Sequence, residues 1–280
     1  MAARLNRQRT SRAAVHAALL LYTLVAIGPI LLILVNAFKT RKAIFGSPLS
    51  LPDATTFSLA GFQSVLAKSD FGLYFMNSLT VTVVALVLVL MLGAMCAWAL
   101  TEYRFAGNTL LALYMAVGIM VPIRLGSVSI LKMMVDFHLV NTLAALILVY
   151  TAMGLPLAIF ILSEFIQQVP RDLRDAARCD GVSEYRIFYA VILPLIRPAL
   201  ATVAVFTMVP IWNDLWFPLI LAPGRSTQTV TLGVQQFIGQ YVTDWNAVLA
   251  SLSLAIAPIL LLYVLFSRSL VRGLTAGAVK

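Results

Sequence analysis

The sequence predicts an all-α integral membrane protein with six transmembrane helices and one helical segment outside the membrane. Three observations carry this. Only 11% of the 280 residues are charged, against about 25% in soluble domains, so most of the surface must meet lipid. Six apolar runs, about 13–37, 75–100, 109–134, 142–166, 197–221 and 247–268, each approach or exceed the roughly 20 residues a helix needs to cross the hydrocarbon core. The alternating ~10-residue segments of a membrane β-barrel are absent. Backbone polar groups in lipid need partners within their own segment, which makes long apolar runs helices.

The first run follows the basic stretch "MAARLNRQRTSR". A signal peptide begins the same way, but its apolar part is about 7–15 residues and ends at a small-residue cleavage site. Here the run is longer and has no such site, so a retained first span is expected. Residues 38–74 form a long outer loop with turn-forming residues. Short loops at 101–108 and 135–141 join spans 2, 3 and 4 as hairpins. In span 3, Pro122 and Gly126 flank Arg124 and predict an irregular helix there. Residues 222–246 are polar, with a short helix expected over 231–241. The whole chain, 1–280, reads as one transmembrane domain that includes the charged segment 167–196.

The placement of charge matters more here than its sum, which is +9. With the N-terminus inside, inner segments hold 13 of the 20 Lys and Arg residues and outer segments hold five. That bias places both termini in the cytoplasm of a bacterial inner membrane. It also accounts for the basic balance with no nucleic-acid partner. Cys96 falls in span 2 and Cys179 in the charged segment, without metal or disulfide spacing; both read as small packing residues.

The stretch "RDLRDAARCDGVSEYRIFYAVILPLIRPAL" over 171–200 holds five arginines and four acids between apolar runs. Pro170 suits a helix start and Gly181 a helix stop. Leu173, Ala176 and Ala177 share a face, with Arg171, Arg174, Asp175 and Arg178 on the remainder. Ser183 suits the N-cap of a second helix, Glu184 sits near its positive end, and Leu193–Pro194 ends it. Two readings follow: a solvated linker with helical tendency, or a docking element whose small residues let another protein approach.

The segment resembles the EAA signature of ABC importer membrane subunits, E-A-A-x3-G-x9-I-x-L-P. Asp175, Ala176, Ala177, Gly181, Val191, Leu193 and Pro194 stand in register, with Asp for Glu and Val for Ile. "LVNTLAALILVYTAMGLPLAIFIL", "PALATVAVFTMVPIWNDLWFPLIL" and "LVRGLTAGAVK" are similar to the maltose-type, carbohydrate-uptake branch. The resemblance implies a type I importer permease. Its partners would be a second permease in a heterodimer, a cytoplasmic ATPase dimer that binds ATP and Mg, and an external solute-binding protein. It also implies that Leu173, Asp175, Ala176, Ala177, Arg178, Gly181, Phe188, Leu193 and Pro194 couple this chain to the ATPase.

No Walker motif occurs, so the chain itself has no expected ATPase activity and no cofactor. His16 and His138 belong to no catalytic or metal-binding pattern, and no catalytic residue is assigned. Candidates for the substrate path are Arg124, Trp212, Asn213, Asp214 and Trp216. A charge at the centre of a span costs about 2.5–3.5 kcal/mol and usually faces protein or a wet cavity. Arg124 therefore reads as lining the path, as pairing with the partner permease, or as snorkelling outward. Trp212 and Trp216 are four residues apart and would share a helix face, suiting either a sugar or an interfacial belt. The open function classes are an importer for a sugar, oligosaccharide, polyol or glycoside; an importer for an amine, phosphate ester or peptide; and an ion-coupled secondary transporter.

Overall fold

The computed structural model describes residues 2–238 and 243–276, with side chains over 14–238 and 243–261. In chain order the helices are α1 (Ala2–Asn36), α2 (Arg41–Gly46), α3 (Ala60–Lys68), α4 (Phe71–Glu102), α5 (Asn108–Met120), α6 (Ser127–Asp136) and α7 (Leu143–Gln167). There follow α8 (Arg171–Cys179), α9 (Glu184–Ile187), α10 (Leu193–Leu195), α11 (Arg197–Asn213), α12 (Trp216–Leu221), α13 (Val230–Val234) and α14 (Trp245–Ala276). Among the described residues there is no β-strand, only two isolated bridges. α1, α4 and α7 are long and apolar enough to cross a membrane, and two bent pairs raise the number to five. α14 is apolar over Trp245–Leu261 and continues as helix to Ala276.

Prolines decide where the expected spans break. Span 3 is two helices bent by 89°. Val121 precedes Pro122 and is extended (φ −77°, ψ 119°), because the proline ring disfavours helical angles at the residue before it. Span 5 stops at Asn213 and resumes at Trp216 rather than running straight to 221. Pro218 has no N–H for the carbonyl of Asp214, and its ring crowds that carbonyl. The Thr231 hydroxyl donates to the Asp214 carbonyl instead, at 2.6 Å.

The chain folds as two compact units, one up to Phe71 with Val234–Ala257, the other Gly72–Gly233 with the chain from Pro258 on. In the first unit, the loop after α1 is ordered by Lys39. Its ammonium is fully buried and donates to the carbonyls of Ser47 and Pro48 at 2.9 and 3.3 Å. Asn246 donates to the Lys39 carbonyl at 2.7 Å, which ties this loop to the start of α14. Asp244 accepts from Ser64 (3.0 Å) and pairs with Lys68 (3.5 Å), closing α3 onto the same place.

A turn in this unit is pH-sensitive. Asp53 Oδ1 accepts from the hydroxyls and backbone N–H groups of both Thr55 and Thr56, at 2.7–2.9 Å. The Thr55 and Thr56 hydroxyls, then their amides, lower the Asp53 pKa from 3.8 to about 2. A depressed carboxyl pKa means the stabilisation is complete above the unfolded value and is lost as pH falls towards the folded value. Hydrogen exchange at the Thr55 and Thr56 amides is therefore expected to lose protection between pH 4 and pH 2. Asp53→Asn should keep whatever protection it has across that window.

The second unit has two cores. In one, Val89, Ala97 and Trp98 of α4 meet Ala158, Leu162 and Ile166 of α7, Ile187, Phe188 and Ile192 of the 184–195 segment, and Val203 of α11. In the other, Val81 and Ala85 of α4 meet Leu146, Val149 and Tyr150 of α7, Ile211 of α11, and Phe217 and Leu221 of α12. Gly154 lets α7 approach closely: a Cβ there would meet Val89 at 2.7 Å and Thr207 at 3.2 Å. Of the helix expected over 231–241, the structure gives α13 and a 3-10 turn at Gln235–Phe237, while 239–242 lie outside the described residues. Cys96 and Cys179 are both free and exposed, which corrects their reading as packing residues.

Candidate functional site

The charged segment forms the expected pair of helices joined at a glycine. α8 ends in a Schellman turn: Val182 N–H donates to Ala177 O and Gly181 N–H to Arg178 O, both at 3.0 Å. The turn needs a left-handed residue, and Gly181 supplies φ +74° at no side-chain cost. Ser183 stands at the N-cap of the next helix, but its side chain makes no capping bond. That helix ends at Leu195, one residue past the expected Leu193–Pro194. It runs from Glu184 to Leu195 and bends 77° into α11. A π-turn over Phe188–Ile192, with Leu193 N–H on Phe188 O, widens the helix just before Pro194. Pro194 lacks a donor, and the wider turn takes in its ring.

Two of the arginines, Arg174 and Arg178, turn away from the solvent face, while Arg171 stays exposed. Arg174 is buried, at 4% exposed. One Nη donates to Glu102, the last residue of α4, and the other to Val169 O at 3.1 Å. Its guanidinium carbon lies 5.7 Å from the centre of the Trp98 ring. Arg178 donates to Glu102, to Glu184 at 2.7 and 3.1 Å, and to Asp175 at 2.9 Å. Tyr103 O–H completes the cluster by donating to Glu184 at 2.8 Å. Arg178 holds the Glu184 carboxyl below its ordinary range. Hydrogen bonds to Glu184 and then Glu102 push the Arg178 guanidinium further up. One carboxylate at the end of α4 thus holds α8 through two arginines, and Arg178 passes the hold on to Glu184 of α9.

Exposed on α8 are Arg171, Asp172, Leu173 (46%), Asp175, Ala176 and Cys179, and of these Leu173, Asp175 and Ala176 belong to the expected docking set. Ala177 is half-buried against the chain's own core, so its expected place on an outer docking face is corrected. It turns towards that core where its carbonyl accepts from Val182 N–H in the Schellman turn. Phe188 is buried in the same core, and Leu193 packs on it.

A second polar cluster lies at the break between α11 and α12. Asp214 is 9% exposed. Its carboxylate accepts from Tyr150 O–H (2.9 Å), Phe217 N–H (3.1 Å), Trp216 N–H (3.3 Å) and Arg124 Nη2 (3.3 Å). The two backbone bonds satisfy donors that the start of α12 leaves open. Arg124, with its side chain 68% exposed, turns its remaining donors to a cavity of about 230 Å³. Tyr150, Thr207, Pro210 and Asp214 also line that cavity. The Thr207 hydroxyl is buried there without a hydrogen-bond partner among the described residues. A charged pair and a phenol in an apolar wall suit a ligand that both donates and accepts hydrogen bonds.

Residues 75–276 match the family described as binding-protein-dependent transport system inner membrane component. The chain belongs to this family. It is 35% identical over 264 residues to a diacetylchitobiose uptake system permease protein of Streptomyces coelicolor, covering 94% of this chain and 87% of that one. It is 31% identical over 260 residues to an arabinooligosaccharides transport system permease protein of Halalkalibacterium halodurans, covering 91% and 92%. In structure it is similar to a chain of a bacterial ABC transporter involved in the import of the acidic polysaccharide alginate. There the TM-score is 0.80 at 20% identity, over 94% of this chain and 97% of that one. Membership decides against the ion-coupled reading.

Within this permease, the five path candidates fall into three places. Arg124, Asp214 and Trp216 come together, since the Trp216 indole N–H donates to Ser127 Oγ at 2.8 Å beside Arg124. Trp212 is buried with its ring edge-on to Phe75, 5.6 Å between centroids. Asn213 is exposed, and its side chain donates back to Val209 O at 2.9 Å. The break at Asp214 puts Trp212 and Trp216 on different helices, so they do not share a face. Within this chain the acid that Arg124 meets is Asp214, ninety residues on. Tyr150, Thr207, Glu102 and Trp98 were missed. Single polar residues inside apolar runs were the signal available for Tyr150 and Thr207.

Proposed function

We propose that this permease pairs with a second permease to pass an oligosaccharide across the bacterial inner membrane, driven by a separate ATPase dimer. The observation that carries the importer reading is the 171–195 segment. It is fastened to α4 through Glu102, while Leu173, Asp175 and Ala176 stay exposed for a cytoplasmic partner. A segment held this way moves as one piece with its span, whereas a loose loop would absorb a displacement. ATP and Mg belong to the ATPase. The oligosaccharide uptake roles of the relatives support a carbohydrate, and the alginate transporter's complex with a sugar-bound periplasmic protein supports an external solute-binding partner.

Arg124 and Tyr150 then offer polar groups to sugar hydroxyls, with Asp214 holding the arginine in place. Co-expression with the neighbouring permease, ATPase and binding-protein genes, followed by uptake of a panel of radiolabelled oligosaccharides, amines and peptides, tests the reading. Uptake of at least one oligosaccharide and of no amine or peptide is expected. Arg124→Gln should assemble normally and lower that uptake about tenfold, the weight of one charge-assisted hydrogen bond. Unchanged uptake by an assembled Arg124→Gln complex removes the residue from the path.

Orientation follows the basic-residue bias. Cysteines introduced at Asp53 and Gln228 should react with an impermeant thiol reagent in intact cells, and one at Asp175 should not. Labelling at 175 from outside contradicts the cytoplasmic placement of the segment.

A further inference from the structure

A groove runs between α5 and α7, starting at the coupling segment. Its polar end is a cavity of about 500 Å³ lined by Tyr103, Arg104, Asn108, Thr109, Gln167 and Arg171. Through Leu100, Thr101 and Gln167 it continues into a space of about 200 Å³ against Met115, Ala116 and Phe160. Through Met115 and Pro156 it continues again into about 600 Å³ walled by Tyr114, Val117, Leu155 and Leu157. From Gln167 to Pro156 is roughly 16 Å along α7 at 1.5 Å per residue. That is about half of a ~30 Å hydrocarbon core, the depth of one leaflet.

The polar end is built for an anion. Arg174 and Arg178 are engaged by Glu102 and Glu184. Arg104 and Arg171, which line the cavity, make no ion pair among the described residues. The helices α5 and α8 also begin here, at Asn108 and Arg171, and neither N-terminus has a side-chain cap. Open N–H groups and the positive ends of two helices add to the two guanidinium groups. The only acid on the groove is Glu164, one turn deeper than Gln167, which leaves a net positive charge.

We infer that this groove holds a phospholipid of the leaflet that faces the ATPase, with its phosphodiester on Arg104 and Arg171 and an acyl chain along α5 and α7. The placement of that leaflet rests on the cytoplasmic reading of the segment. An anionic headgroup fits better than a zwitterionic one, because the cavity's net charge is positive. A protein partner working in water would not fill the apolar continuation, and the ATPase has its own exposed face on Leu173, Asp175 and Ala176. Because Arg171 opens α8, a bound lipid would brace the coupling helix against the membrane surface.

The test is lipid retention by the purified, assembled transporter, read by mass spectrometry after exchange into phosphatidylglycerol or phosphatidylethanolamine. Phosphatidylglycerol should be retained preferentially. Loss of both cations in Arg104→Gln/Arg171→Gln should weaken its retention about thirtyfold. Arg104→Lys/Arg171→Lys should keep most of it, which separates lost charge from lost fold. Ala116→Phe leaves the polar end intact and narrows the acyl path, so it should also lower retention. Inorganic phosphate or glycerophosphoglycerol at millimolar concentration should not displace the lipid. Displacement by either means a free-anion site and overturns the lipid assignment. So does equal retention by the parent and both kinds of variant, or a cross-link from the second permease to position 116.

Discussion

Arg174→Met is expected to lower the thermal midpoint of the assembled transporter and to separate ATP hydrolysis from uptake. The Arg174 guanidinium is buried, and it binds Glu102, the Val169 carbonyl and the face of Trp98 at once. Removing one partner of a buried pair costs about 3–5 kcal/mol, because the other charge is left in poor solvent. Glu102 keeps Arg178, so the lower end of that range applies. The double variant Arg174→Met/Glu102→Leu removes both charges, and apolar replacement of a whole pair is often close to neutral. It should recover much of the thermal midpoint. It should not recover coupling, since Arg178 then holds α8 to α9 but not to α4. If hydrolysis and uptake stay proportional in the stable double variant, the Glu102 cluster is a stabilising feature and not the link that passes motion to α4.

Ala176→Trp is expected to leave the membrane helices folded and to abolish ATPase docking. Ala176 is exposed on α8, so the larger side chain finds room in the isolated permease and clashes only with a partner. A clash at a tightly packed interface position costs on the scale of a hot-spot residue, a loss of affinity of roughly thirtyfold or more. Co-purification of the ATPase and stimulated hydrolysis should fall together. Gly181→Val isolates the other ingredient. A Cβ there meets nothing within 4 Å, so its cost is backbone strain alone, about 1–2 kcal/mol for a left-handed residue with a side chain. Asp175→Asn should do least. Its pair with Arg178 is exposed on the carboxylate side, 63%, and such pairs are worth about 0–1 kcal/mol. Parental docking by Ala176→Trp would place the ATPase contact elsewhere on the chain.

The linear sequence determined the membrane class, the approximate ends of the spans, and the helix–glycine–helix form of the charged segment. Each of these is local. A span is a matter of counting apolar residues against a fixed bilayer thickness. The stop at Gly181 follows from which residue tolerates φ +74°. The break at Val121–Pro122 was legible for the same reason, and the break at Asp214 lay equally open to reading from Pro218, four residues on. The π-turn before Pro194 was less so, since a proline can end a helix or be absorbed by a widened one, and packing of Phe188 and Ile192 in the core accompanies the second outcome. What only the tertiary structure decided is pairing. Arg174 looked like a solvent charge because its acid, Glu102, stands more than seventy residues away at the end of another span, and Arg178 reaches that same carboxylate besides its near neighbours Asp175 and Glu184. Arg124 met Asp214 across ninety residues for the same reason. A charge in an apolar chain must find a partner or water, but periodicity records only which face of its own helix it occupies. Which helix end supplies the partner is fixed when the helices pack.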